Sequence, residues 1–249
     1  MKTLCSIVFY LIAFLGFSQN EALFELGNKL YNDGDYEGAI LKYETILKDG
    51  KHSAELYFNL GNAHYKLDHI APSIYYYEKA LQLNPNDREI INNSVFAKNM
   101  TIDAIDTVPE VGFSKVMNEI SRAFTFEGWG KFSISFMVLF VAGFLFYYFA
   151  STVFKKRATF VASALMLALA AVSLFFAFHN KELAANDRPA IVFAQESKVK
   201  SGPNLSSDEA FKLHEGTKVQ ILDTFNEWKK IKLTDGKTGW VPKDDIKAL

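Results

Sequence analysis

His64 and His69 are the nearest pair of histidines in the chain, and a spacing of five residues does not place both on one helical face as i, i+4 would. The other histidines are scattered, and Cys5 is the single cysteine, so neither a thiolate metal site nor an internal disulfide can be assembled. No phosphate-cradling glycine loop, nucleophile elbow or zinc-ligand spacing occurs. These absences point to a protein that is not an enzyme and holds no metal and no cofactor. The residues with something left to do are amides, aromatics and cations, so the elements that carry them decide the reading.

Lys155, Lys156 and Arg157 stand between two uncharged runs, Phe132–Phe154 and Ala158–Phe178. About 20 apolar residues cross a hydrocarbon core of roughly 30 Å, so 132–154 and 158–178 are expected to form a two-helix transmembrane hairpin. Aromatic ends (Trp129, Phe132, Tyr147, Tyr148, Phe175–Phe178) suit the interfacial belts. A short cationic loop, 155–157, stays cytoplasmic. Residues 1–18 read as a signal peptide: Lys2, an apolar stretch, then Gly16-Phe17-Ser18 before the cut. An uncleaved anchor would leave the next segment on the same side. Cys5 precedes the apolar stretch, which speaks against a lipoprotein. Both signals place the soluble parts in the periplasm of a two-pass inner-membrane protein. Ala164, Ala168 and Ala171 form a small-residue ridge for packing on the first span or a partner, or simply alanine-rich helix. Neither span contains a charged residue, which argues against a transporter.

From Glu21 to Glu127 there are ten Lys/Arg against seventeen Asp/Glu, and from His179 onward twelve against eleven. No basic face accumulates, so nucleic acid is not an expected partner. Within 19–106 the chain repeats itself: Leu26-Gly27-Asn28 falls 34 residues before Leu60-Gly61-Asn62, Tyr43 recurs as Tyr77, and Pro85 closes the second unit. This resembles the tetratricopeptide repeat, a pair of antiparallel helices per unit. The resemblance implies an all-α solenoid of two units, with Gly27, Gly61, Ala39 and Ala80 at close helix contacts and His64 at a packed position. Ser73 and Val95 depart from the usual small residues, and the segment after Pro85, started by Asn86 or Asp87, is expected to be a capping helix. Repeats of this kind bind protein segments along the face of their first helices. Phe24, Asn28, Tyr31, Phe58, Asn62 and Tyr65 would line it. Asn28 and Asn62 match the paired asparagines of carboxylate-clamping repeats. Phe24, Asn92 and Phe96 stand where the clamp has cations, so an aromatic and amide surface for an extended segment is expected instead.

Residues 107–131 read as a linker with an amphipathic juxtamembrane helix. Phe113, Val116, Met117, Ile120 and Phe124 form an apolar stripe opposite Lys115, Glu119 and Arg122. It could lie on membrane lipid or pack on the repeats. After a linker at 179–186, the period changes to short alternating runs over 187–249. Val219–Leu222, Trp228–Leu233 and Gly239–Val241 read as strands, with Asp235-Gly236 as a hairpin turn. "HEGTKVQILD" and "EWKKIKLTDGKTGWVP" are similar to a bacterial SH3 domain, which implies a C-terminal all-β, five-stranded SH3-like barrel. Trp228 and Pro242 match the ligand groove of such domains, and Trp240 is a further candidate. Both tryptophans could instead fill the core. Val192, Ala194 and Asp245 replace the groove tyrosines, so a proline-rich ligand is not expected, whereas cell-wall peptide is.

The order of modules in this multidomain membrane protein resembles the BatE-type proteins of the Bacteroides aerotolerance group. That resemblance implies a membrane scaffold in an envelope stress complex with sibling Bat proteins and other membrane or periplasmic proteins. The alternative is a peptidoglycan sensor or anchor acting through the SH3-like domain.

Overall fold

A computed structural model describes residues 20–105 and 112–249. The expected signal peptide, with Cys5, lies outside the described residues. The chain divides into two compact units. One combines the chain up to Thr107 with Arg188–Leu249; the other is Val108–Asp187.

Among the described residues of the first unit, five helices follow one another: α1 (20–32), α2 (Tyr36–Lys48), α3 (Ala54–Lys66), α4 (Ile70–Leu83) and α5 (Arg88–Lys98). Side chains cap the starts of α2, α3 and α5. Asp35 accepts from Gly38 N, Ser53 from Leu56 N, and Asp87 from Glu89 N and Ile90 N. Asp87 is thus the cap that starts the last helix. The 34-residue period is a packing period. A Cβ on Gly27 would lie 2.5 Å from the Tyr43 ring, and one on Gly61 would lie 2.7 Å from the Tyr77 ring. Glycine is what lets α1 meet α2, and α3 meet α4, across a tyrosine in each unit. Ala39 and Ala80 are fully buried. Ser73, where alanine is usual, is buried because its hydroxyl donates to Gly61 O at 2.9 Å.

The tail forms a seven-stranded antiparallel sheet: β1 (Pro189–Val192), β2 (Glu196–Lys200), β3 (Glu209–His214), β4 (Lys218–Phe225), β5 (Trp228–Lys232), β6 (Thr238–Pro242) and β7 (Ile246–Ala248). Their order is β3-β2-β6-β5-β4-β1-β7. Five strands were expected. The short β1 and β7 pair with each other, and β1 also pairs with β4, which widens the sheet. Val199, Leu213, Ile221, Ile231 and Val241 sit in its core.

In the second unit, α6 (Phe113–Arg122) precedes two helices, α7 (Phe126–Phe149) and α8 (Val153–Asn186), each long and apolar enough to cross a membrane. They run antiparallel: Trp129 stacks on Phe176, Ser133 Oγ donates to Ala170 O, and Gly143 faces Ser163. The sequence expectation of a loop at 155–157 is corrected. The chain turns at 150–152, where Ala150 and Thr152 are extended, and Lys155–Arg157 belong to the first turns of α8. Thr152 starts that helix by accepting from Lys155 N, and a change of charge says nothing about where such a cap falls. The expected linker at 179–186 is likewise the end of α8. The small residues that pack on α7 are also different. Ser163, Ala170, Ser173 and Ala177 are buried, whereas Ala164, Ala168 and Ala171 are exposed.

Candidate protein-binding surfaces

On the repeat, the first helix of each unit presents an amide held by a ladder of hydrogen bonds. Asn28 Oδ1 accepts from Tyr43 Oη at 2.8 Å and from Asn59 Nδ2 at 2.9 Å. One period later, Asn62 Oδ1 accepts from Tyr77 Oη at 2.5 Å and from Asn93 Nδ2 at 3.0 Å. Burial pushes the Tyr43 phenol up to about 12 and raises that of Tyr77, so both remain donors. Each Oδ1 thus accepts twice, and the ladder draws on the amide oxygens of Asn28 and Asn62. The rungs also fix the side-chain rotamers.

The six predicted residues are all half-buried, and they do not form one site. Tyr31, Asn62 and Tyr65 line a cleft of about 390 Å³ together with Lys66, Glu89, Asn93 and Phe96. Phe24 lines a separate cleft of about 400 Å³ with Ile46, His52 and Leu56. Phe24 and Phe58 also lean on Tyr43 and Tyr77, with ring centroids 5.9 and 6.0 Å apart. Sequence reasoning missed Lys66 and Glu89, which give the first cleft both signs of charge. The signal was available, because Lys66 lies one helical turn beyond Asn62 on the same helix.

On the sheet, strand alternation decides what the tryptophans do. Ile231 on β5 and Val241 on β6 point into the core, so Trp228, Trp240 and Pro242 lie on the opposite face, each half-buried. Trp228 pairs across the ladder with Pro242 on one side and with Phe225 on the other; Trp240 pairs with Lys230. The core-filling alternative for the two tryptophans is therefore excluded. Val192 is buried, and Asp245 accepts from Ser197 Oγ at 2.6 Å, so neither stands free as a groove tyrosine would.

The repeat and the sheet share one interface that the sequence did not reveal. Glu78 on α4, with its side chain 9% exposed, pairs with Lys98 of α5 and Lys218 of β4, both at 2.7 Å. Burial alone would raise its carboxyl, but the two ammonium groups outweigh that and hold it below the usual range. Asp103, after α5, accepts from His214 N at 2.7 Å and Thr217 Oγ1 at 2.6 Å, and faces His214 Nδ1 at 2.7 Å. Ile105 packs against the core of the sheet, and Ile191 of β1 belongs to the helical core. A Cβ on Gly216 would stand 2.7 Å from Thr101 and 2.9 Å from Ile70 and Ile74, so only glycine allows this approach. Tyr75 meets Phe193 edge-on, and Lys247 Nζ lies 4.3 Å from the Tyr75 ring centre.

Among the described residues no group of acids, histidines or cysteines could hold a metal. His64 Nδ1 lies 3.2 Å from His69 Nδ1, and the His64 ring stacks on Tyr76. Its packed role agrees with the sequence expectation.

Family models match in three places: the bacterial SH3 domain over residues 197–247, a tetratricopeptide repeat over 54–87, and a TPR repeat over 27–68. No curated protein matches the chain. Modules of these two kinds suggest protein binding and, for the bacterial SH3 domain, cell-wall binding.

Proposed function

We propose that the chain is a non-enzymatic scaffold of the bacterial inner membrane, held by the α7–α8 hairpin. The repeat clefts capture an extended segment of a membrane or periplasmic protein. The observation that carries this reading is the shared interface: the two stretches flanking the hairpin build one folded unit. Two halves that fold together must lie on the same side of a membrane, which requires an even number of crossings between them. The hairpin supplies two. Three cations beside the turn at 150–152 favour a cytoplasmic tip and a periplasmic scaffold. The sheet closes as an SH3-like barrel, in keeping with its single core. An envelope stress complex of the Bat type, with sibling Bat proteins as partners, fits this arrangement of modules.

The second reading, a peptidoglycan sensor or anchor, is favoured by the aromatic face of Trp228, Trp240 and Pro242. A photo-crosslinking residue in place of Tyr65 or of Trp240, in the full chain in intact cells, separates the two. Protein adducts at Tyr65 are expected. Adducts to cell-wall fragments at Trp240, with none to protein at Tyr65, would replace the scaffold by the sensor.

A further inference from the structure

Helix α6 and the residue just past its end leave four large apolar side chains well exposed among the described residues: Phe113 is 79% exposed, Val116 49%, Ile120 42% and Phe124, beyond the helix, 45%. At 3.6 residues per turn they form one stripe. Lys115 and Glu119, paired at 3.8 Å, stand on the other side and are well exposed. The helix is also tied to one level of α8. Asn180 Nδ2 donates to Ser121 O and Phe124 O, both at 2.8 Å, and Ser121 Oγ donates to Asn180 Oδ1. Trp129 Nε1 adds a bond to Ser121 O at 3.0 Å. These donors satisfy carbonyls that a helix end leaves open. Ser121 is buried there, roughly a quarter-turn round from the apolar stripe, so docking on α8 leaves the stripe free.

The height of that clamp identifies what the stripe meets. Asn180 follows the last aromatics of the apolar run of α8, Phe175, Phe176 and Phe178, and precedes its first charge beyond the run, Lys181. The aromatic cluster of Phe124, Trp129 and Phe132 continues the stripe directly onto α7, with Phe124 4.8 Å from Phe132. An apolar stripe fixed where an apolar span gives way to charge, and continuous with that span, faces the boundary of the bilayer.

Resting on the membrane reading above, we infer that α6 is an interfacial helix that lies on the lipid surface, with Phe113, Val116 and Ile120 among the upper acyl chains. It forms a collar at the end of the hairpin away from the cationic turn. Its stripe sits roughly 5–10 Å into the boundary between headgroups and chains.

The test uses the full chain with Cys5→Ala, reconstituted into vesicles of phosphatidylethanolamine and phosphatidylglycerol. An environment-sensitive fluorophore is placed on Val116→Cys, Ile120→Cys, Glu119→Cys or Val138→Cys, the last within α7. Lipid nitroxides near the glycerol end of the chain should quench positions 116 and 120 more strongly than nitroxides near the methyl end. Position 138 should show the reverse order, and position 119 should yield to an aqueous quencher. If 138 is quenched by deep nitroxides while 116 and 120 answer only to the aqueous quencher, or to none, the collar is overturned and the hairpin stands. If 138 escapes every lipid nitroxide, the membrane reading falls and the collar with it.

Discussion

His64 shows how one buried side chain couples the repeat to pH. Burial, helped by the nearby positive charge of His69 and Lys247, pushes its imidazole down to about 4. The unfolded chain takes up this proton below about 6.5, whereas the folded one does so only near 4. Protons in that window therefore favour unfolding. The contribution is fully present above pH 6.5 and falls away as pH drops to 4, by about 3 kcal/mol for a shift of this size. Urea unfolding followed by helical circular dichroism should show this loss in the native chain. His64→Phe should flatten the profile between those limits. An unchanged slope would mean that the ring is hydrated.

At the scale of elements, the hydrogen bonds between the segment after α5 and the β3–β4 turn converge on one carboxylate. Burial opposes the charge on Asp103, but bonds from Thr217 and His214 overcome this and hold its carboxyl below the usual range. Such a depressed group contributes stability above its ordinary value, and that stability is lost as pH falls through the lowered one. Asp103→Ala leaves the His214 amide and Thr217 hydroxyl without their partner, at a cost of about 1–3 kcal/mol. Amide exchange at His214 and Thr217 should quicken accordingly, while exchange in α2 stays unchanged. Equal acceleration in both places would show that the substitution damages the whole unit and that Asp103 does not act at this join.

For the whole molecule, the decisive property is that the hairpin interrupts a single folded unit. Cysteines in place of Glu78 and Lys218, with Cys5→Ala, should be joined by a short bis-maleimide in intact membranes. On the proposed two-crossing topology, deleting 126–149 leaves one crossing and would strand the repeat and the sheet on opposite faces. The crosslink should then vanish although both modules are still synthesised. A crosslink that survives the deletion would show that the modules meet without regard to the hairpin, and the two-crossing argument would fail.

The modules themselves were legible in the residues because they are local. A 34-residue period, an uncharged run long enough for a bilayer, and alternation broken at Asp235-Gly236 each depend on neighbours a few turns or strands apart. The aromatic and amide residues of α1 and α3 could be placed on a helix face for the same reason. Their separation into two clefts could not, because α2 helps to line one cleft and α5 the other, and neither contact is local. Cap geometry, not charge, moved the hairpin turn from 155–157 to 150–152. Only the tertiary structure joined Glu78 to Lys218 and Asp103 to His214, across more than a hundred residues of chain. No local pattern records such a pairing: a charged residue reads as solvated until the fold brings its partner and removes the water.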